Sequence, residues 1–121
     1  MSTLQESLHR FLAVEGVRTA ALIDIATGMI VRSVGKPDPD LASTAACVAD
    51  EARAARGALG GGPADSLVEI ATITGSRLQV SRVLRHAPSA GLLLFVDLDR
   101  GKSNMGLASL RIGELAPTVL A

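Results

Sequence analysis

GLLLFVDLD, residues 91–99, decides the fold. From Leu92 to Val96 every position is apolar, and a strand of that kind has both faces covered, which places it in the middle of a sheet with layers on either side. The runs around it alternate more, as flanking strands do: VRTAALIDI at 17–25, MIVRSV at 29–34, SLVEIATIT at 66–74 and RLQVSRVLR at 77–85. Ala26-Thr27-Gly28 separates the first two, and its glycine can take the positive φ of a tight hairpin, so these strands are expected to pair antiparallel.

The covering layers are legible as helices. Leu4, Leu8, Phe11 and Leu12 form one helical stripe, and Thr3 and Glu6 have capping-box spacing, which predicts a helix over about 3–14 ended by Glu15-Gly16. Asp38 is placed to cap a second helix and Pro39 to take its first position; it should run to about Leu59, where Gly60-Gly61-Gly62-Pro63 stops it. Met105, Ala108, Ile112, Leu115 and Val119 repeat at helical spacing behind Ser103, a candidate cap, and Pro117 limits the last turn. The element order is therefore α-β-β-α-β-β-β-α, an α+β chain with a mostly antiparallel sheet and helices on both faces. At 121 residues the expectation is one domain, 1–121.

Composition removes several function classes. There is no Trp or Tyr, and Phe11 and Phe95 are the two aromatic rings, so stacking on bases or sugars is nearly excluded. Twelve Lys and Arg balance twelve Asp and Glu, leaving no overall field for nucleic acid or an anionic membrane. Cys47 stands alone, which excludes an internal disulfide and multi-cysteine zinc patterns and suits a reducing compartment. The amino terminus is amphipathic and carries acids, unlike a signal peptide, and no apolar run approaches the roughly 20 residues of a membrane helix. A soluble cytoplasmic protein is expected, with no direct membrane insertion. The Arg and Ala bias is associated with GC-rich bacterial genomes.

The second helix, LASTAACVADEARAARGAL, has eight alanines among its 19 residues. Leu41, Ala45, Val48, Ala52, Ala55 and Leu59 form the stripe expected to lie on the sheet. Beyond it the surface stays smooth, with Ala42, Ala46 and Ala49 on one flank and Ser43, Cys47, Ala54 and Ala58 on the other. Two readings stand. The alanines serve helix propensity alone, or their smallness lets an identical helix approach closely across a twofold, a homodimer seam.

Candidate chemistry is thin. Gly101-Lys102-Ser103 ends like a phosphate-binding loop, but the glycine required five residues earlier is Val96. Gly60 to Pro63 reads as a helix stop. His9, His86 and Cys47 share no metal or nucleophile spacing; Cys47 reads as a small residue in a packed helix. Asp97 and Asp99 alternate at a strand end, where acids are commonly solvated. No catalytic, metal or cofactor site is expected, and sheet-facing positions read as aliphatic, offering a small ligand no convergent polar groups. Arg77, Arg82, Arg85 and His86 make strand four locally basic, and Arg53 and Arg56 do so on the long helix; each group reads as a solvated face or as a contact for an acidic protein surface.

EGVRTAALIDIATGMIVRSVG, the alanine helix, LVEIATITGSRLQVSRVL and GLLLFVDLDRGKSNMGLASLRI, in this order, resemble the roadblock (dynein light-chain 7) family over nearly the whole chain. Its most telling pieces are Gly16-Val17 after a short helix, the Thr27-Gly28 hairpin, and Asn104-Met105-Gly106-Leu107 before the last helix. The IDIATG hairpin lacks the acidic residue plus glycine that many members carry. The resemblance implies a five-stranded antiparallel sheet with the long helix on one face and the two terminal helices on the other. It also implies a homodimer that joins the strand after the long helix, residues 67–74, and lays the long helices side by side. Ala42, Ala46, Ala49, Arg53, Leu67, Glu69, Ala71 and Ile73 are its candidate interface residues. Family members are scaffolds or regulators of small Ras-like GTPases, some promoting GTP hydrolysis and some acting as motor adaptors. A bacterial GTPase regulator or scaffold is the expected function, with Arg53, Arg56, Arg77, Arg82 and Arg85 as candidate partner contacts. The alternatives are a nucleotide-insensitive adaptor for a sensor kinase or motility complex, and a small-ligand sensor.

Overall fold

The strand that reads as central is central. The computed structural model describes residues 3–59, 66–85 and 91–119. Its sheet has the order β2-β1-β5-β4-β3, with β1 at Val17–Asp24, β2 at Ile30–Gly35, β3 at Glu69–Ile73, β4 at Arg77–Leu84 and β5 at Leu92–Asp99. Every neighbouring pair is antiparallel. Residues 93–98 of β5 are all buried, as a strand covered on both faces requires.

Period-two alternation divides the sheet between two cores. Ala20, Leu22, Val80, Leu94 and Val96 pack with Leu8 and Phe11 from the amino-terminal segment and with Ala108, Ile112 and Val119 from the carboxy-terminal one. Ala21, Ile23, Leu93 and Phe95 pack on the other face with Ala45, Val48, Ala49 and Ala52 of the long helix α2, Leu41–Leu59. The largest side chains of this second core, Ile23, Leu93 and Phe95, come from the sheet, and three of the four helix residues are alanines. The terminal helices are α1, Leu4–His9, and α3, Met105–Leu115. One long helix on one face and two terminal helices on the other is the expected layering.

Several boundaries differ from the sequence reading, each for a local reason. α1 ends at His9 and the chain tightens into a 3₁₀ turn over Arg10–Ala13, the usual way to close a helix end before a sharp exit. Its cap is as expected, with Thr3 Oγ1 accepting from the Glu6 N–H at 3.1 Å. α2 begins at Leu41, not at Pro39. Asp38 accepts from the Asp40 N–H at 2.9 Å, an Asx turn that competes with helix over those residues. Asn104, not Ser103, caps α3, accepting from the Leu107 N–H at 3.0 Å. Ser103 instead donates to the Asp99 carbonyl at 2.6 Å. Leu59 and Met105, assigned to buried stripes, are 58% and 51% exposed. The glycine-proline stop at 60–63 lies outside the described residues.

One irregularity positions a side chain used below. Val17 pairs with Leu98 and Thr19 with Asp97, so Arg18 is an extra residue in β1. Such a bulge re-aims the chain locally.

Candidate interaction surface

On α2 the expected open flank is partly closed by the chain itself. Ala42 and Ala46 are exposed, but Ala49 is fully buried, so it is no interface residue of the folded subunit. The β1–β2 turn covers it. Gly28 sits at φ +74°, and a Cβ there would lie 3.1 Å from Ala46 Cα and 3.6 Å from Ala49 Cβ. The alanines admit the backbone of their own hairpin. Arg53 fastens this contact: it donates to the carbonyls of Ile25 and Ala26 and pairs with Asp50. Arg56, one turn on, is exposed.

At the opposite side of the sheet, β3 is an edge strand with no sheet neighbour beyond it among the described residues. Ala71 is exposed, Ile73 is 50% exposed and Val68, just before the strand, 46%. Leu67 is half-buried against the α2 core. Glu69 is committed inward, accepting from Arg82 at 3.3 Å and from Ser109 of α3 at 2.9 Å. Beside this edge, α3 presents Met105, Leu107 and Leu110, each more than half exposed. A cavity of about 680 Å³ lies along α3, where Gly106 and Gly113 leave room between Met105, Leu110 and Arg82. Sequence reading assigned Met105 to the core and left Leu107 and Leu110 unused; two leucines off the buried stripe were the available signal.

The basic run on β4 is not one patch. Alternation puts Arg82 on the α3 face and Arg77 and Arg85 on the α2 face. Arg85 reaches the carbonyls of Ser66 at 3.1 Å and Leu67 at 2.7 Å, holding the approach to β3. Arg77 donates to Asp97 Oδ2 at 2.7 Å. Three cations that read as a solvated face are thus internal ties. His86 lies outside the described residues.

Asp97 departs furthest from expectation. It is 2% exposed, not solvated, and Arg18, delivered by the bulge, approaches its Oδ2 to 4.0 Å. Its Oδ1 is buried with no hydrogen-bond partner among the described residues, a state that costs about 1–3 kcal/mol. A polar cavity of about 230 Å³ adjoins it at the start of α2, walled also by Thr19, Lys36, Asp38 and Asp40. Convergent polar groups do therefore exist on this sheet. An acid inside the central strand was the signal, since a buried carboxylate must find a cation. The bulge that supplies the second arginine left none. Asp99, by contrast, caps the turn after β5, accepting from the Gly101 N–H at 3.0 Å.

Cys47 is exposed, not packed, and its thiol donates to Glu51 at 3.4 Å. That hydrogen bond, with some desolvation and the Glu51 and Asp50 charges, holds its pKa above the ordinary thiol value. Less thiolate is present at any given pH, so alkylation is expected to run slower than for a free cysteine and to accelerate in Glu51→Gln. Equal rates in the two proteins under a pseudo-first-order maleimide assay would refute this. Among the described residues no cluster of His, Cys, Asp and Glu could hold a metal ion, and no helix is long and apolar enough to cross a membrane.

No protein-family model matches the sequence, and neither does any curated protein. Solved structures match it in fold. A structure of MglB with a tetrameric arrangement aligns at a TM-score of 0.78 and 22% identity over 96% of this chain and 84% of that one. The gliding protein MglB of Thermus thermophilus aligns at 0.77 and 21%, over 96% and 84%. A Roadblock/LC7 domain from Streptomyces avermitilis aligns at 0.77 and 16%, over 98% and 96%. The chain has the roadblock fold.

Proposed function

From that fold, we propose that the protein is a homodimeric, non-enzymatic regulator or scaffold for a small Ras-like GTPase in a bacterial signalling or polarity system. The observation that carries the reading is the open β3 edge with exposed Val68 and Ile73, adjoining the exposed apolar side chains of α3. Unpaired strand edges with apolar side chains invite association, and exposed apolar clusters mark protein contacts. The resemblance to roadblock proteins supports the GTPase as partner, and the likeness to a gliding protein supports a polarity or motility setting. Two copies meet along β3 through Ala71 and Ile73, with Ala42 and Ala46 the α2 positions left for a partner helix. Arg56, exposed on α2, is the cation assigned to a GTPase contact, since Arg53 is tied to the β1–β2 turn.

Light scattering is expected to give twice the chain mass for the wild type and a monomer for Ile73→Lys. Lysine on an exposed edge is compatible with the fold, so a cooperative melt should persist; an unchanged dimer mass would remove β3 from the interface. The partner is read by retention from native lysate on immobilised protein with GDP or a non-hydrolysable GTP analogue. A Ras-like GTPase held in one nucleotide state supports the regulator, and a turnover assay on it separates stimulated hydrolysis from scaffolding. A kinase or motility component held equally in both states would replace this reading with that of an adaptor.

A further inference from the structure

We propose that the polar cavity at the amino-terminal end of α2 binds a small zwitterion of the α-amino acid class, with the ligand's ammonium on the Asp97 carboxylate and its carboxylate on Arg18. The proposal goes beyond the GTPase reading and does not depend on it. Its first support is the unpaired oxygen. The Asp97 side chain is 3% exposed and accepts one hydrogen bond from Arg77, on Oδ2; the contact is not a two-pronged fork, so Oδ1 is left buried without a donor among the described residues. A buried carboxylate oxygen favours any ligand that brings an N–H to it.

The second support is the balance of charge around the cavity. Arg18, Lys36 and Arg77 oppose Asp38, Asp40 and Asp97 in its wall. A simple cation would meet three cations there, and a simple anion would meet three carboxylates, one of them with a bare oxygen. A molecule carrying both charges a few ångströms apart matches both sets. A divalent metal does not fit, because the described residues provide no group of three ligands.

Donors for the ligand's carboxylate are also available. Arg18 is 35% exposed at its side chain and stands 4.0 Å from Asp97, beyond hydrogen-bond reach. The Thr19 hydroxyl is occupied, donating to the Lys36 carbonyl at 3.2 Å and so holding the β2–α2 link against β1. With about 230 Å³ of space, the site suits a compact amino acid and excludes a nucleotide.

The test is an amide-shift NMR titration of the intact protein with the standard L-amino acids, each beside its methyl ester and its N-acetyl form. At least one free amino acid is expected to saturate with Kd near 1 mM or below, and each blocked form to bind at least about tenfold more weakly. Asp97→Asn is expected to lose the site. Arg18→Gln should weaken the free amino acid while leaving the methyl ester unchanged, and its partial exposure makes it the variant to rely on if Asp97→Asn does not fold. Absence of saturable binding at about 10 mM for every amino acid overturns the proposal. Equal binding of free and blocked forms overturns it as well.

Discussion

Ala49→Glu is expected to unfold the subunit itself, a larger effect than the loss of a dimer contact. Ala49 is fully buried between the sheet and the β1–β2 turn, where even a Cβ on Gly28 would stand only 3.6 Å from its methyl. A glutamate has no room in the apolar core there, and Arg53, one turn on, is already committed to the Ile25 and Ala26 carbonyls and to Asp50. An unpaired buried charge costs several kcal/mol after relaxation, and overpacking adds about 1–3 kcal/mol. Domains of this size have about 5–15 kcal/mol in total. Circular dichroism should show no cooperative melt at 25 °C, or one shifted down by tens of degrees. Ala42→Glu is the control. It is exposed in the first turn of α2, where a negative charge is neutral or favourable by about 0.3–1 kcal/mol. A native melt for Ala49→Glu would show that the helix can lift from the hairpin.

Phe95→Ala is expected to cost about 3–5 kcal/mol, the range for emptying a packed aromatic site. Phe95 is 1% exposed in the central strand and faces Ala45, Val48, Ala49 and Ala52 of α2. Cavities shrink when neighbours rotate into them, and alanine has no side-chain torsion to rotate. The loss should therefore fall at the upper end of that range, a drop in Tm on the order of 15 °C. Phe95→Leu keeps most of the volume and should lose less than half as much. Urea titration at constant m-value is the measurement; a loss below about 1 kcal/mol would mean that α2 settles onto the sheet and closes the gap.

The two predictions share a cause that the sequence showed only in outline. The unbroken apolar run from Leu92 to Val96 was enough to put β5 in the middle, because a strand with no polar face has no other stable place. The hairpin at Gly28, the capping threonine and the closing helix were equally legible, being set by local backbone preference and spacing. The alanines of α2 were visible as a question. A helical wheel describes a helix as a cylinder and cannot register a neighbouring turn that folds over its side, so Ala49 read as open surface.

The candidate sites were legible to different depths. The β3 edge and Ile73 as a contact followed from the resemblance to the roadblock family, and the absence of a nucleotide loop in DRGKSN followed from the spacing of its glycines. The arginines did not follow. Arg53, Arg77, Arg82 and Arg85 are long side chains whose partners lie 3 to 28 residues away in sequence, and charge counting treats each as free.

What the sequence determined by itself is the layering: a central strand, its flanking strands, and amphipathic helices whose apolar faces need a sheet to cover. These depend on periodicity and on torsions within a few residues. The tertiary structure alone decided which small residue is buried, which arginine is tied, and where a carboxylate is left with one oxygen unpaired. Those outcomes depend on a bulge at Arg18, a turn folding onto α2 and a side chain crossing between strands, and each is a meeting of segments distant in sequence.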